Sequence, residues 1–283
     1  MAIGFIGLGK MGAVMAPHLV AGGHQVTGHD VVAPADLPEG LKFTDDLSAL
    51  MTCQTIITML PDGDVVSQVV SRLLSAGCGA MIIDMSSSHP DVSRQLDADL
   101  ASRGQMFLDA PVSGGVGRAG TAELMIMAGG SETAFAAARP ILELMGTPTH
   151  MGPAGCGHAM KALNNYVSAA GLIASFEALA TARDLGIEPD RFLEVINRST
   201  GRNNTTEAKI ARYVVSAAYD SGFDLKLMAK DVGIAHALAV AGGFDGAVTD
   251  AVRQFLEDGL ASLGEAADHT ELYLQIAKGR ADS

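Results

Sequence analysis

Two regimes of hydrophobic patterning divide the chain. From Ala2 to about Gly152, apolar runs of strand length alternate with segments whose apolar positions recur at helical spacing. The strand-like runs are Ala2–Leu8, Gln25–Asp30, Thr55–Leu60, Ala80–Ser86, Met106–Val112 and Leu124–Gly129; the helical ones include Met11–Ala21, Asp64–Ser75 and Asp91–Arg103. This alternation predicts a mostly parallel sheet covered by helices on both faces. After Gly157 the strand signals stop. The remainder is rich in Ala, Leu and Met at helical spacing, punctuated by Gly186, Gly201, Gly222 and the Gly242–Gly243 pair. An α/β domain over 1–157 followed by an all-helical domain over 158–283 is the expectation, with the boundary near residues 152–158. The longest apolar helical stretch, Val167 to Ala182, carries Ser168, Ser175 and Glu177 and reads as a core helix rather than a membrane span.

Charge narrows the partners. The formal net charge is −13, which argues against nucleic acid, whose affinity rests on Lys and Arg neutralising phosphates. An acidic chain that binds an anion must supply positive potential locally. The three cysteines, Cys53, Cys78 and Cys156, are scattered and lack metal or C-x-x-C spacing, which favours a reducing compartment. Met1 leads almost at once into an apolar strand without a basic leader, so a cytoplasmic location is expected. The histidines are dispersed and no metal site is expected.

The opening residues carry the first chemistry. Gly7, Gly9 and Gly12 fit G-x-G-x-x-G between an apolar strand and an amphipathic helix. The three glycines suit a tight turn, backbone approach to a pyrophosphate, and close packing of helix on strand. Free N–H groups and the positive end of the helix dipole would then face the phosphates. This predicts a Rossmann-type doubly wound sheet. The next strand ends at Asp30, about 20 residues beyond the middle glycine, where a carboxylate can accept from a ribose 2′-OH and repel a 2′-phosphate. No arginine lies nearby, so NAD is expected over NADP; the plain alternative is that Asp30 caps a turn.

Two further segments stand out. Asp109-Ala-Pro-Val-Ser113-Gly114-Gly115 follows a strand, at the carboxyl end of the sheet where such folds collect ligands. Ser113 offers a hydroxyl and the two glycines offer N–H groups to a carboxylate, or the segment is an ordinary turn. In the helical half, Asn165 lies about 40° around the helix from Lys161, Ser168 about 20° and Ser175 about 40°. Lysine and asparagine on an otherwise apolar helix are costly unless paired or facing a cavity, and a desolvated lysine suits proton transfer. Alternatively, Lys161 snorkels from the helix start. Arg118 and Arg202 are candidates to reach a second anionic group on a substrate, or are solvated surface arginines.

Taken together, four segments resemble the 3-hydroxyacid (β-hydroxyacid) dehydrogenase family, which includes 3-hydroxyisobutyrate dehydrogenase and tartronate semialdehyde reductase. They are GFIGLGKMG at the start, DAPVSGGVGRAGTAELMIMAGG at Asp109–Gly130, GPAGCGHAMKALNN at Gly152–Asn165 and FDLKLMAKD at Phe223–Asp231. The resemblance implies that Lys161 is the acid/base in hydride transfer between a nicotinamide cofactor and a small anionic hydroxy acid or its aldehyde. It implies that Ser113, Gly114 and Gly115 hold the substrate carboxylate and that Asn165 orients the substrate. Phe223 and Asp231 would close the pocket. Cofactor contacts would come from Gly7, Leu8, Gly9, Lys10, Met11 and Gly12, from Met59, Leu60 and Pro61 after the third strand, and from Lys230. Family members that prefer NADPH often carry Asn-Arg-Thr where this chain has His29-Asp30-Val31, which supports NAD. The family forms dimers and tetramers, and a homodimer or homotetramer is expected here. Two alternatives stay open: an NADPH-dependent reductase of glyoxylate or succinic semialdehyde, and a nicotinamide-binding sensor without turnover.

Overall fold

The structure, a computed structural model, describes the backbone of residues 1–281 and side chains through residue 277. It separates into two compact units that meet in sequence between Lys161 and Ala162.

The first unit is a nine-stranded sheet with helices on both faces. Its strands are β1 (Ala2–Ile6), β2 (Gln25–His29), β3 (Lys42–Thr44), β4 (Thr55–Thr58), β5 (Met81–Asp84), β6 (Phe107–Asp109), β7 (Val112–Ser113), β8 (Leu124–Gly129) and β9 (Gly146–Gly152). They lie in the order β3-β2-β1-β4-β5-β6-β8-β7, with β9 paired to β8. Strands β1 to β6 are mutually parallel, β8 runs antiparallel to β6 and β7, and β9 is parallel to β8. From β1 the chain first builds outward through β2 and β3, then crosses to β4 on the other side. The carboxyl ends of β1 and β4 therefore border the switch point at which such sheets bind ligands.

Consecutive residues in the central strands feed two cores. Ile57, Ile83 and Leu108 pack on the face covered by α1 (Gly12–Ala21), α4 (Gly115–Gly120) and α5 (Glu132–Leu142). Their neighbours Ile56, Ile82 and Phe107 pack on the face covered by α2 (Gly63–Ser75) and α3 (Pro90–Ala101). Because side chains alternate across a strand and both faces are dry, these strands read as unbroken apolar runs.

The second unit is helical, and its core gathers Leu172, Phe176, Ile210, Met228, Val232 and Leu256. Its helices are α6 (Cys156–Asp184), which begins in the first unit, then α7 (Pro189–Ile196), α8 (Leu225–Ala241), α9 (Ala247–Leu263) and α10 (Leu272–Ala281). A π-helical segment, Thr205–Val215, lies between α7 and α8. Among the described residues no helix is long and apolar enough to cross a membrane.

Several expected runs shorten. The first strand ends at Ile6, because Gly7 has φ of 100° and turns the chain out of the sheet. Met106–Val112 splits into β6 and β7 around Pro111, which has no N–H for a ladder. Strands β3 and β9 carry too little apolar alternation to be foreseen; β9 is half-exposed and includes Pro148. Nor is α6 a uniform core helix, since Val167 is 67% exposed and Leu163 42%.

Candidate functional site

The glycine loop joins β1 to α1, and its three glycines face three different constraints. A Cβ on Gly7 would sit 2.1 Å from the Met59 carbonyl oxygen, and one on Gly12 would sit 1.9 Å from that of Gly7. Neither clash can be relieved by a side-chain rotation. A Cβ on Gly9, by contrast, would meet no atom within 4 Å. Gly9 thus presents bare, exposed backbone, as a ligand lying across the turn requires. The α1 N-terminus has no side-chain cap, whereas Asp62 caps α2 and Ser131 caps α5. The positive end of its dipole suits an anionic group. These residues fit a dinucleotide.

At the end of β2, Asp30 Oδ2 accepts from the Leu8 N–H at 2.6 Å, and the Gly7 N–H donates to the His29 carbonyl at 2.9 Å. Asp30 is therefore tied to the glycine loop rather than merely closing its own turn, although Oδ1 also accepts from the Val32 N–H at 3.3 Å. Next to the loop, Met59 and Leu60 follow β4; the Met59 N–H bonds the Ile6 carbonyl at 2.8 Å and the Leu60 N–H bonds Ser86 Oγ at 2.9 Å. Lys10 is exposed, and Pro61 is exposed at the start of the same turn.

Ser113 ends β7 and is half-buried, with Gly114 (φ 141°) and Gly115 (φ 67°) exposed after it. Both glycines hold conformations that L side chains rarely adopt, so their N–H groups are displayed by a turn only glycine makes without strain. The Arg118 stem packs over Gly114, and Arg118 itself is exposed. Arg202 lies in the second unit and sits 3.6 Å from Glu207 on the surface.

On α6, the stripe read from the sequence holds in part. Asn165 and Ser175 are buried, while Lys161 and Ser168 are half-buried. Asn165 Nδ2 donates to Asp231 Oδ2 at 2.5 Å, joining α6 to α8 inside the second unit. Ser175 Oγ accepts from Asn203 Nδ2 at 2.9 Å, which ties the stripe to the segment just past Arg202. The glycine loop, Asp30, the Met59–Pro61 turn, Ser113–Gly115, Arg118 and Lys161 belong to the first unit. Asn165, Arg202, Phe223, Lys230 and Asp231 belong to the second.

Sequence reasoning did not single out two polar clusters. In the first unit, buried Asp84, Asp109 and His158 bind the ends of β5 and β6 to the start of α6. Burial pushes the Asp109 carboxyl above its ordinary range, partly offset by His158 and by the backbone N–H groups it accepts. In the second unit, Asp268 accepts from Ser221 Oγ at 2.8 Å, the Gly222 N–H at 2.9 Å and Thr270 Oγ1 at 2.6 Å. His269 donates its N–H to the Phe223 carbonyl at 3.1 Å, with its ring edge-on to Phe223 at 5.5 Å. These bonds pin the segment entering α8. Burial lowers the Lys209 amine to about 8 in this cluster, opposed by the Asp268 charge. The clusters escaped notice because their members lie far apart in sequence and share no period. Among the described residues no group of His, Cys, Asp and Glu could hold a metal ion.

Comparison with known proteins agrees with this architecture. Residues 2–156 match the NAD binding domain of 6-phosphogluconate dehydrogenase. Residues 155–276 match the NAD-binding domain of NADP-dependent 3-hydroxyisobutyrate dehydrogenase. The chain is 36% identical to the 3-hydroxyisobutyrate dehydrogenase of Pseudomonas aeruginosa, covering 84% of this chain and 85% of that one. It is 32% identical to the 2-(hydroxymethyl)glutarate dehydrogenase of Eubacterium barkeri, covering 92% and 89%. The solved 3-hydroxyisobutyrate dehydrogenase of Mycobacterium tuberculosis with L-serine superimposes with a TM-score of 0.86 at 32% identity, over 97% of this chain and 98% of that one. The chain belongs to the 3-hydroxyisobutyrate dehydrogenase family, NAD(P)-dependent oxidoreductases that act on CH–OH donors.

Proposed function

We propose that the protein oxidises a small 3-hydroxy acid of the form HOCH2–CH(R)–COO⁻ to its semialdehyde, using NAD and Lys161 as the proton acceptor. Two observations carry this reading: the open glycine turn at Gly9 in the first unit and, on α6, Lys161 and Asn165 one helical turn apart. The relatives' names support the substrate class. 3-Hydroxyisobutyrate, 2-(hydroxymethyl)glutarate and L-serine share a primary alcohol one carbon away from a carboxylate-bearing carbon and differ in R.

The residues then divide the work. Ser113 with the N–H groups of Gly114 and Gly115 holds the substrate carboxylate, and Asn165, itself fixed by Asp231, orients the alcohol. Lys161 Nζ, in its neutral form, takes the hydroxyl proton as the C–H bond gives up a hydride, and returns a proton to the aldehyde oxygen in the reverse direction. A nicotinamide cofactor held by the glycine loop would supply the hydride acceptor or donor. Holding alcohol and acceptor in register is most of the remaining task. Met59, Leu60, Pro61 and Lys230 serve the cofactor, Phe223 and Asp231 border the substrate, and Arg118 or Arg202 would meet a charged R group. Asp30 favours NAD: its carboxylate can accept from a ribose 2′-OH and would repel a 2′-phosphate, and no arginine stands near it in the sequence. The protein would work as a homodimer or homotetramer.

The test is an assay of NAD and NADP reduction against 3-hydroxyisobutyrate, D- and L-glycerate, L-serine, 2-(hydroxymethyl)glutarate and 4-hydroxybutyrate, with Lys161→Ala beside wild type. Loss of two to four decades in kcat, as for removal of a general base (roughly 10²–10⁴-fold), is the expected result. Full activity in the variant would sink the lysine mechanism. Binding of NAD without turnover of any of these acids would instead favour a sensor.

A further inference from the structure

We propose that His158 is a positioning residue for Lys161: its ring, held between two buried carboxylates, fixes the first turn of α6 against the sheet and so sets where the lysine amine stands. The inference rests on the reading of Lys161 given above. Every group in it belongs to the first unit.

His158 lies three residues before Lys161, nearly one turn away on the same helix. Its side chain is fully buried. Nε2 lies 3.1 Å from the Ser86 carbonyl, an obligate acceptor, so this nitrogen carries a proton. Nδ1 lies 2.7 Å from Ser93 Oγ on α3. Beyond these partners stand two carboxylates, Asp84 at 3.8 Å from Nε2 and Asp109 at 3.7 Å from Nδ1, both fully buried. Asp84 ends β5 and accepts from Thr58 Oγ1 at 2.9 Å, the Ser86 N–H at 3.0 Å and Ser88 Oγ at 3.2 Å. Asp109 ends β6 and accepts from the Gly155 N–H at 2.7 Å and the His158 N–H at 2.9 Å. The ring thus bonds to the β5 end and α3, and Asp109 bonds to its own backbone.

The backbone leaves this arrangement no slack. A Cβ on Gly157 would lie 2.3 Å from the Met127 carbonyl oxygen, and one on Gly129 would lie 2.7 Å from the Gly157 nitrogen. The start of α6 is therefore seated directly on β8, and any rotation of its first turn would break the backbone bonds to Asp109 and the ring's bonds to the Ser86 carbonyl and Ser93. Stability alone does not account for the choice of residues. A buried polar set can be replaced by apolar residues of similar volume with little loss or even a gain, whereas removing one partner leaves the others unsatisfied. What the polar set adds is a single geometry, and the functional group one turn onward inherits it. A displacement of about 1 Å at such a group can cost on the order of 10²-fold in rate.

The experiment compares His158→Leu and His158→Gln in the wild-type and Lys161→Ala backgrounds, measuring kcat, KM for NAD and for the best hydroxy acid, and Tm. Glutamine can offer an N–H to the Ser86 carbonyl and an oxygen to Ser93, so it is the variant that keeps the fold and restores the bonds. With Lys161 present, His158→Leu is expected to lower kcat about 10- to 100-fold with KM for NAD within about twofold. His158→Gln should recover most of kcat. In the Lys161→Ala background, His158→Leu should change kcat by less than about threefold, because its effect passes through the lysine. An equal loss in both backgrounds, or a lowered Tm with kcat intact, overturns the proposal and leaves the Lys161 reading standing. Unimpaired turnover by Lys161→Ala alone defeats the lysine reading itself, whatever His158 does.

Discussion

Asp30 bonds the glycine loop and still keeps acceptor capacity for the ribose contact proposed for it. One carboxylate oxygen accepts the Leu8 N–H, which helps hold the glycine loop in its turn. A carboxylate has about four acceptor positions, so capacity remains for the two ribose hydroxyls. Hydrogen bonds to a charged group contribute about 1.5–3 kcal/mol each. Asp30→Ala is therefore expected to lower kcat/KM for NAD by roughly 10- to 100-fold while changing that for NADP far less, so the two cofactors converge. Steady-state kinetics with both cofactors checks this; a wild-type enzyme that prefers NADP would rule out the assigned role. His269 makes a different point. Its Nδ1 is occupied by the Phe223 carbonyl at 3.0 Å, while Nε2 is buried without a partner among the described residues. A proton on Nε2 would have no acceptor, and burial together with the nearby Lys209 charge lowers the group to about 4 from an ordinary 6.5. The unfolded chain therefore takes up the proton first as pH falls. The stabilising contribution is complete above pH 6.5 and is lost progressively toward pH 4, amounting to about 3 kcal/mol at most. Urea unfolding at pH 7 and pH 4.5 should show a smaller loss for His269→Gln than for wild type; parallel losses would contradict the argument.

At the level of elements, the best-specified parts were those in which one local rule sufficed. Strand β8 and helices α1 and α2 fall within a residue or two of the runs read from the sequence. Apolar periodicity and flanking turn residues are enough to define them. Strand β9 had no such support: Gly146, Pro148 and His150 alternate with nothing strongly apolar, and its place in the sheet comes from pairing with β8. The π-helical segment Thr205–Val215 was equally hidden, because a register of one extra residue per turn leaves no trace in composition. The candidate site divides in the same way. Gly7, Gly9, Gly12 and Asp30 were legible as a motif with a mechanism. The partnership of Asn165 with Asp231 was not, since 66 residues separate them and only the packing of α6 on α8 brings them together.

For the molecule as a whole, the net charge of −13 is unevenly relevant to function. It places an overall negative field in the path of the proposed anionic substrate and of an anionic cofactor, while the α1 N-terminus acts only at short range. At about 0.01 M salt the screening length is about 30 Å, and at 0.15 M about 8 Å. Raising ionic strength across that range should screen the long-range repulsion and increase kcat/KM for a hydroxy acid about twofold, with kcat little changed. A fall in kcat/KM instead would mean that a positive field at the site mouth dominates the encounter.

The sequence by itself determined the fold class, the glycine turn, the acidic end of β2 and the presence of a lysine and an asparagine one turn apart on α6. These are properties of local period and spacing, which chain connectivity transmits directly. Only the tertiary structure decided that Asp84 and Asp109 from separate strands converge on His158, that Asp30 accepts the Leu8 N–H of the glycine loop, and that Asp231 holds Asn165. Those relations depend on which elements pack together, and the burial that makes each polar partner costly to lose exists only once they have done so.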